Sequence, residues 1–203
     1  MNFKSFYLTE RPTINSLDKR EPSMDNNEFE ETLTDYHIGY KDPDKKFKIG
    51  NILYGMWKVD RADSSLKNEV YFGFENSIIS RKTAVIFCGV SYNKKFDFPS
   101  PGYILVKRDK RGNKIGYEFY EYLVNTFGGV VSDNSISRSI FKIYSSLAEK
   151  YNLYFLNSKN MITHAKSKLS EKDLDDYGST FMITKEKLDP IEWNKIWDSK
   201  NFI

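Results

Sequence analysis

The sequence predicts an α/β domain of mixed α+β type, a central, largely antiparallel sheet flanked by helices. Three observations predict it. Between Ile49 and Arg108, apolar and aromatic residues fall in short runs separated by polar or Gly/Pro turn signals, as consecutive antiparallel strands do. From Tyr103 to Asn157 the pattern changes to strand, helix, strand, helix, strand. Strands first and alternation afterwards is the order of a mixed sheet covered by helices. Finally, 15 Phe, 14 Tyr and 3 Trp in 203 residues supply enough apolar area for a core without disulfides.

Taken in order, residues 1–48 read as an N-terminal extension and residues 49–203 as the main domain, one domain overall. Phe3–Thr9 has the composition of an edge strand, and Glu10–Asn27, with Pro12 and Pro22, that of a loop. Phe29, Leu33 and Tyr36 share one face of a short acidic helix. KDPDKKFK, around Pro43, reads as a solvated turn. NILYGMWKVD, EVYFGFE, the nearly continuous apolar run KTAVIFCGVSY and, after FPSPG, GYILVKR are strands.

Ile115, Phe119, Tyr122, Leu123 and Phe127 line one face of a helix that Gly128-Gly129 ends. VVSD is a short buried strand, and Asp133, Asn134 or Ser135 caps the next helix, whose stripe is Ile136, Ile140, Ile143, Leu147 and Tyr151. LYFLN is a strand, ITHAKSKLSEKDLDDY a polar helical excursion, GSTFMITKE a last strand and PIEWNKIWDS a terminal helix with Pro190 in its first turn. Trp193 and Trp197, one turn apart, anchor that helix on the domain or form a partner-binding patch.

The totals exclude several classes. No stretch reaches the ~20 apolar residues of a membrane span, and the N-terminus lacks the apolar core of a signal peptide. The lone cysteine, Cys88, lies in an apolar run and reads as a buried, inert thiol. Two histidines, His37 and His164, with no Cys pair and no HExxH, give no zinc site, and no metal is expected; His164 reads as solvated. A net charge of +3 allows anionic ligands without demanding nucleic acid. Lys, Asn, Ile, Tyr and Phe in abundance with few Ala indicate an AT-rich genome, that of a phage or a low-GC bacterium, and a cytoplasmic location, in the bacterial host if the protein is phage-encoded.

The most concentrated positive charge, Lys107, Arg108, Lys110, Arg111 and Lys114, leads straight into the helix that begins near Ile115. A helix N-terminus presents unpaired N–H groups and about half a positive charge, so this turn suits a phosphate or pyrophosphate. It is neither GxxxxGK[ST] nor GxGxxG.

RGNKIG (Arg111–Gly116) followed by YEFYEYL resembles the acetyl-CoA turn, Q/R-x-x-G-x-G/A, of the GNAT superfamily of N-acetyltransferases. Arg111 takes the first position and Gly116 the last, while Lys114 stands where the family has its middle glycine. SRSIFKIYSSLAEKYN is similar to the helix N-x-x-A-x-x-L-Y-x-K-x-G-F, with Ser137 at the Asn, Ile140 at the Ala and Tyr144 at the Tyr; the Gly-Phe is not kept. The resemblance covers about half of the chain.

It implies a GNAT-like fold and an N-acyltransferase that uses acetyl-CoA or another acyl-CoA. Backbone N–H groups of Arg111, Gly112, Asn113, Lys114, Ile115 and Gly116 would hold the pyrophosphate, with Ser137 beside the cofactor. The strand edge at Ile104–Val106, including Leu105 and Val106, would bond the pantetheine arm. Tyr144 would protonate the departing thiolate, and Glu69, Glu75 or Asp133 would take the proton of an acceptor amine, on a small molecule or a protein. Two alternatives stand beside it: a non-catalytic phage accessory, virion or host-interaction protein on the same fold, and, ranked last, nucleic-acid binding through Lys107–Lys114. For the residues themselves, plain structural roles compete: surface lysines at the turn, a core tyrosine at 144, and helix capping by Ser132 and Asp133.

Overall fold

A computed structural model describes Phe29, Leu33 and residues 42–59, 67–92, 98–133, 136–177 and 180–200. The edge strand at Phe3–Thr9, the loop to Asn27, and Tyr36 and His37 lie outside these residues. So do Asn134 and Ser135, and the side chain of Trp197.

Among the described residues, five strands form an antiparallel meander in chain order: β1 (Lys45–Ile49), β2 (Ile52–Val59), β3 (Lys67–Phe74), β4 (Ala84–Tyr92) and β5 (Pro99–Val106). Helix α1 (Ile115–Phe127) leads to β6 (Gly129–Val131), α2 (Arg138–Ala148) to β7 (Asn152–Leu156) and the hairpin strand β8 (Ile162–Lys166). Helix α3 (Glu171–Tyr177), β9 (Phe181–Thr184) and α4 (Pro190–Lys200) complete the fold. The second sheet has the order β6-β9-β7-β8, every pairing antiparallel, so the last strand inserts between β6 and β7. The fold is mixed α/β with antiparallel sheets and, among the described residues, four α-helices.

Alternation along the strands distributes the core over two faces. Tyr71 of β3, Cys88 of β4, Phe155 of β7 and Ile183 of β9 face α1 and α2, whose Phe119, Tyr120, Leu123, Tyr144 and Leu147 complete the main cluster. The alternate residues Val70, Phe72, Phe74 and Leu105 pack with Phe29 and Leu33, both helical, on the other face of the first sheet. Tyr154, Leu156 and Met182 face Trp193 of α4 behind the second sheet.

Three local readings change. KKFKI is a strand, not a turn, because only Phe47 and Ile49 need cover while its lysines face water on a sheet edge, and β1 runs through the 48/49 boundary. ITHAK is β8, not helix: Ile162 is buried, Thr163, His164 and Ala165 are exposed, and the strand pairs with β7. The helix stripes are also turned. Helix α1 buries Tyr120 and Val124 more deeply than Tyr122 and Phe127, and α2 buries Phe141 and Tyr144 rather than Ile140 and Ile143, because each helix is wedged between a sheet and the other helix.

Candidate functional site

The site is built where the two sheets meet. Strands β5 and β6 lie side by side but belong to different sheets, with no pairing between them. Phe98 packs against Gly129, and Gly102 lies beside the Asp133 carboxylate, so the two strands run in the same direction. At that level β5 carries an extra residue: Gly89 faces Tyr103 but Val90 faces Pro101, leaving Gly102 in a bulge. The β5 edge toward β6 is thus unpaired in the ladder, though β6 packs beside it.

Helix α1 starts at the carboxyl end of β5. The chain leaves β5 through a 3-10 turn, Arg108–Lys110, passes Gly112 at φ +85° with open space on its Cβ side, and enters the helix at Lys114. Lys114 is in the left-handed conformation, φ 59°, and its side chain does not cap the helix. The first intrahelical bond runs from Glu118 N–H to the Lys114 carbonyl at 2.9 Å, so the amides of Ile115, Gly116 and Tyr117 precede the helical ladder and have no intrahelical acceptor. Gly116 has a packing role as well, since a Cβ there would sit 3.2 Å from Ile143 Cδ1 of α2 and 3.7 Å from Ile104 Cδ1 of β5.

The five cations of the turn differ in their engagements. Lys110 pairs with Glu75 at 2.7 Å, and Arg111 Nε donates to the Val106 carbonyl at 3.2 Å. Lys107, Arg108 and Lys114 have no acidic partner among the described residues. Arg111, Gly112, Asn113 and Lys114 are exposed, Ile115 is buried in the core and Gly116 is half-buried. Leu105 points away from α1 toward Phe29 and Leu33, so only its backbone can serve the β5 edge, whereas Ile104 and Val106 pack on the α1 side.

Tyr144, two turns into α2, is fully buried, and among the described residues its hydroxyl makes no well-formed hydrogen bond, the Tyr120 phenol being its polar neighbour. Its ring stands edge-on to Tyr120 of α1 at 5.3 Å and to Phe181 of β9 at 4.9 Å. Burial pushes its phenol above the ordinary range, and Asp133 and Cys88 push the same way. Cys88 is the β4 partner of Ile104, and Asp133 follows β6, so the neighbours of Tyr144 stand on both sides of the β5/β6 boundary. Burial likewise raises the Cys88 thiol, which makes it unreactive.

Other residues acquire structural roles. Ser137, expected beside the cofactor, caps α2: its hydroxyl accepts from Ile140 N–H at 3.3 Å, the role expected of Asp133, Asn134 or Ser135. Ser132 extends the β6–β9 ladder, its amide donating to Phe181 O at 2.8 Å and its hydroxyl accepting from Phe181 N–H at 2.9 Å. The exposed His164 lies against Tyr177, ring centroids 4.1 Å apart. In α4, Trp193 stacks on Phe98 and donates to Asn160 O at 3.1 Å, which anchors the helix. An open hollow of about 500 Å3 between β8 and α3 is floored by a capping box, Ser170 and Asp173, with Lys166 paired to the carboxylate.

Of the three carboxylates considered as proton acceptors, Glu75 is tied to Lys110 and Asp133 is exposed beside Gly102. Glu69 is held by two phenols, Tyr71 at 2.6 Å and Tyr92 at 2.8 Å, a cluster that sequence reasoning missed. The alternation Glu69, Tyr71 gives a same-face pair, but Tyr92 joins only through the β3–β4 register. No helix among the described residues is long and apolar enough to cross a membrane. No protein-family model, curated protein or solved structure matches the chain significantly.

Proposed function

We propose that this protein is a divergent GNAT-like N-acyltransferase that binds acetyl-CoA or another acyl-CoA at the mouth of α1 and along the unpaired edge of β5. The observation that carries the reading is the Tyr144 hydroxyl, fully buried at the boundary between β5 and β6 and, among the described residues, without a well-formed hydrogen bond, with only the Tyr120 phenol beside it. Leaving such a donor unsatisfied costs about 1–3 kcal/mol, which a ligand atom at the boundary recovers. The uncapped α1 N-terminus, with Lys107, Arg108 and Lys114 around it, supports the same reading from the anion end.

In this scheme the amides of Ile115, Gly116 and Tyr117 bind the pyrophosphate, with Lys114 as a point charge beside it. The β5 backbone at Ile104–Val106 bonds the pantetheine amides as an added strand does. The phenol of Tyr144 stays protonated at neutral pH because burial raises it, and it donates to the sulfur. A thiolate leaving at the same buried place is desolvated too, which raises its basicity and favours proton transfer from the phenol. Because no ladder bond joins β5 to β6, opening the sealed boundary to the thioester breaks no strand pairing.

Thermal denaturation with and without acetyl-CoA tests the reading. Ligand that binds the native state raises the midpoint by mass action, and a midpoint unmoved at millimolar acetyl-CoA and CoA removes it. A non-catalytic protein on the same fold is the second reading, favoured by the sealing of Tyr144 and by a lysine at the glycine position. Nucleic-acid binding through Lys107–Lys114 comes last, since Lys110 and Arg111 are already engaged.

A further inference from the structure

Glu69 sits at the far end of α1 from the anion-binding mouth. Tyr92 packs on Phe127 in the last turn of that helix, ring centroids 5.6 Å apart, and a helix of 13 residues separates its ends by about 18 Å. Both phenols donate to the same carboxylate oxygen, Glu69 Oε2, and their hydroxyl oxygens are 3.2 Å apart. The other oxygen, Oε1, has no hydrogen-bond partner, and no lysine or arginine pairs with this half-buried group, among the residues whose side chains are described, which exclude Lys67 and Asn68. Aromatic rings pack on its two phenols: Tyr71 stands against Phe119 at 5.3 Å and Phe47 at 6.1 Å, and Tyr92 against Phe127.

The chemistry of this cluster selects its ligand. Burial foremost, and Glu69 beside them, drive both phenols above their ordinary range, so they remain neutral donors. A half-buried carboxylate with one oxygen open suits a cationic N–H donor. A guanidinium is a poor complement, because its fork needs both carboxylate oxygens and Oε2 already takes two bonds. A metal ion is poorer still, since no group of three or more His, Cys, Asp or Glu that could hold one occurs among the described residues. A primary ammonium makes a single strong bond to Oε1 and lays its alkyl stem along the rings, whose faces attract the positive charge.

We propose that Glu69, Tyr71 and Tyr92 form a binding site for a primary alkylammonium group, Glu69 Oε1 accepting from the ammonium and the Tyr71, Tyr92 and Phe127 rings contacting its stem. The site stands whether or not the α1 mouth binds an acyl-CoA. Its test is a titration of the full-length protein with n-butylammonium chloride, followed through the tyrosine ring signals by NMR, with 1-butanol and n-butylguanidinium as matched probes. Saturable shifts of the Tyr71 and Tyr92 signals are expected with butylammonium, at least tenfold weaker binding for both other probes, and at least a tenfold loss of butylammonium affinity in Glu69→Gln. Tyr92→Phe, which keeps the carboxylate and the fold, weakens butylammonium binding severalfold. No saturable shift with butylammonium, wild-type affinity in Glu69→Gln, or butylguanidinium binding as tightly as butylammonium overturns the proposal. Acetyl-CoA binding, measured separately, leaves each of these outcomes unchanged.

Discussion

Helices α1 and α2 lie side by side on the same face of the sheets, yet they begin in opposite ways. Helix α2 opens with a serine whose hydroxyl takes an amide of the first turn, and at α3 the Asp173 carboxylate reaches back to accept from the amide and hydroxyl of Ser170. Helix α1 opens with a lysine in a left-handed conformation, leaves the amides of its first turn without side-chain acceptors and gathers cations around them. The first arrangement completes the helix by itself; the second leaves its amides to water or to a bound anion. In the proposed enzyme the two mouths divide the work: α1 holds the cofactor and α2, fixed by its cap, aims Tyr144 at the boundary between the sheets.

Breaking the α2 side of this comparison has the largest expected effect. Tyr144→Phe removes a buried hydroxyl that makes no well-formed hydrogen bond among the described residues, so the folded state holds or gains up to about 1 kcal/mol in denaturant unfolding. Acyl transfer, in contrast, falls by roughly 100-fold or more, the range of a lost general acid. An unchanged rate, or a loss of stability, refutes the role of that hydroxyl. On the α1 side, Lys114→Glu puts a negative charge at the anion site and weakens acetyl-CoA binding by about tenfold in calorimetry, more at low salt than at high.

Smaller effects sharpen the contrast. Ser137→Ala lowers stability by about 1 kcal/mol, the loss of an N-cap. Lys114→Gly leaves stability within about 1 kcal/mol of wild type and on the stabilising side, because glycine takes the left-handed conformation without strain. Equal losses from both substitutions contradict the distinction between the two mouths. The third mouth adds a pH dependence. Burial opposes the charge of Asp173, but hydrogen bonds from Lys166 and Ser170 prevail and hold its carboxyl below the ordinary range. A lowered folded value means that its contribution is present above the unfolded value of about 3.9 and fades as pH falls through the folded one. The stability difference between wild type and Asp173→Asn therefore shrinks as the solution is acidified below about pH 4.

Much of the fold was legible because short-range patterns carried it. The start of α1 at Ile115, its stop at Gly128 with φ +81°, and the continuous run of β4 follow from local sequence alone. Strands β1 and β8 were not legible, since each lies on a sheet edge and shows water most of its side chains, which removes the alternation that marks a strand. The α1 mouth was visible as a run of cations before a helical stripe. The cap by Ser137 and the cluster at Glu69 were not, because the first depends on where a helix starts to within one residue and the second on which strands pair.

The most direct measurement of the central claim is the amide NMR spectrum of the protein titrated with acetyl-CoA. The account predicts saturable shifts of the Ile115, Gly116 and Tyr117 amides, the three that α1 leaves without helical acceptors. Amides at α1 that stay in place at millimolar acetyl-CoA, or shifts confined to another part of the molecule, contradict it.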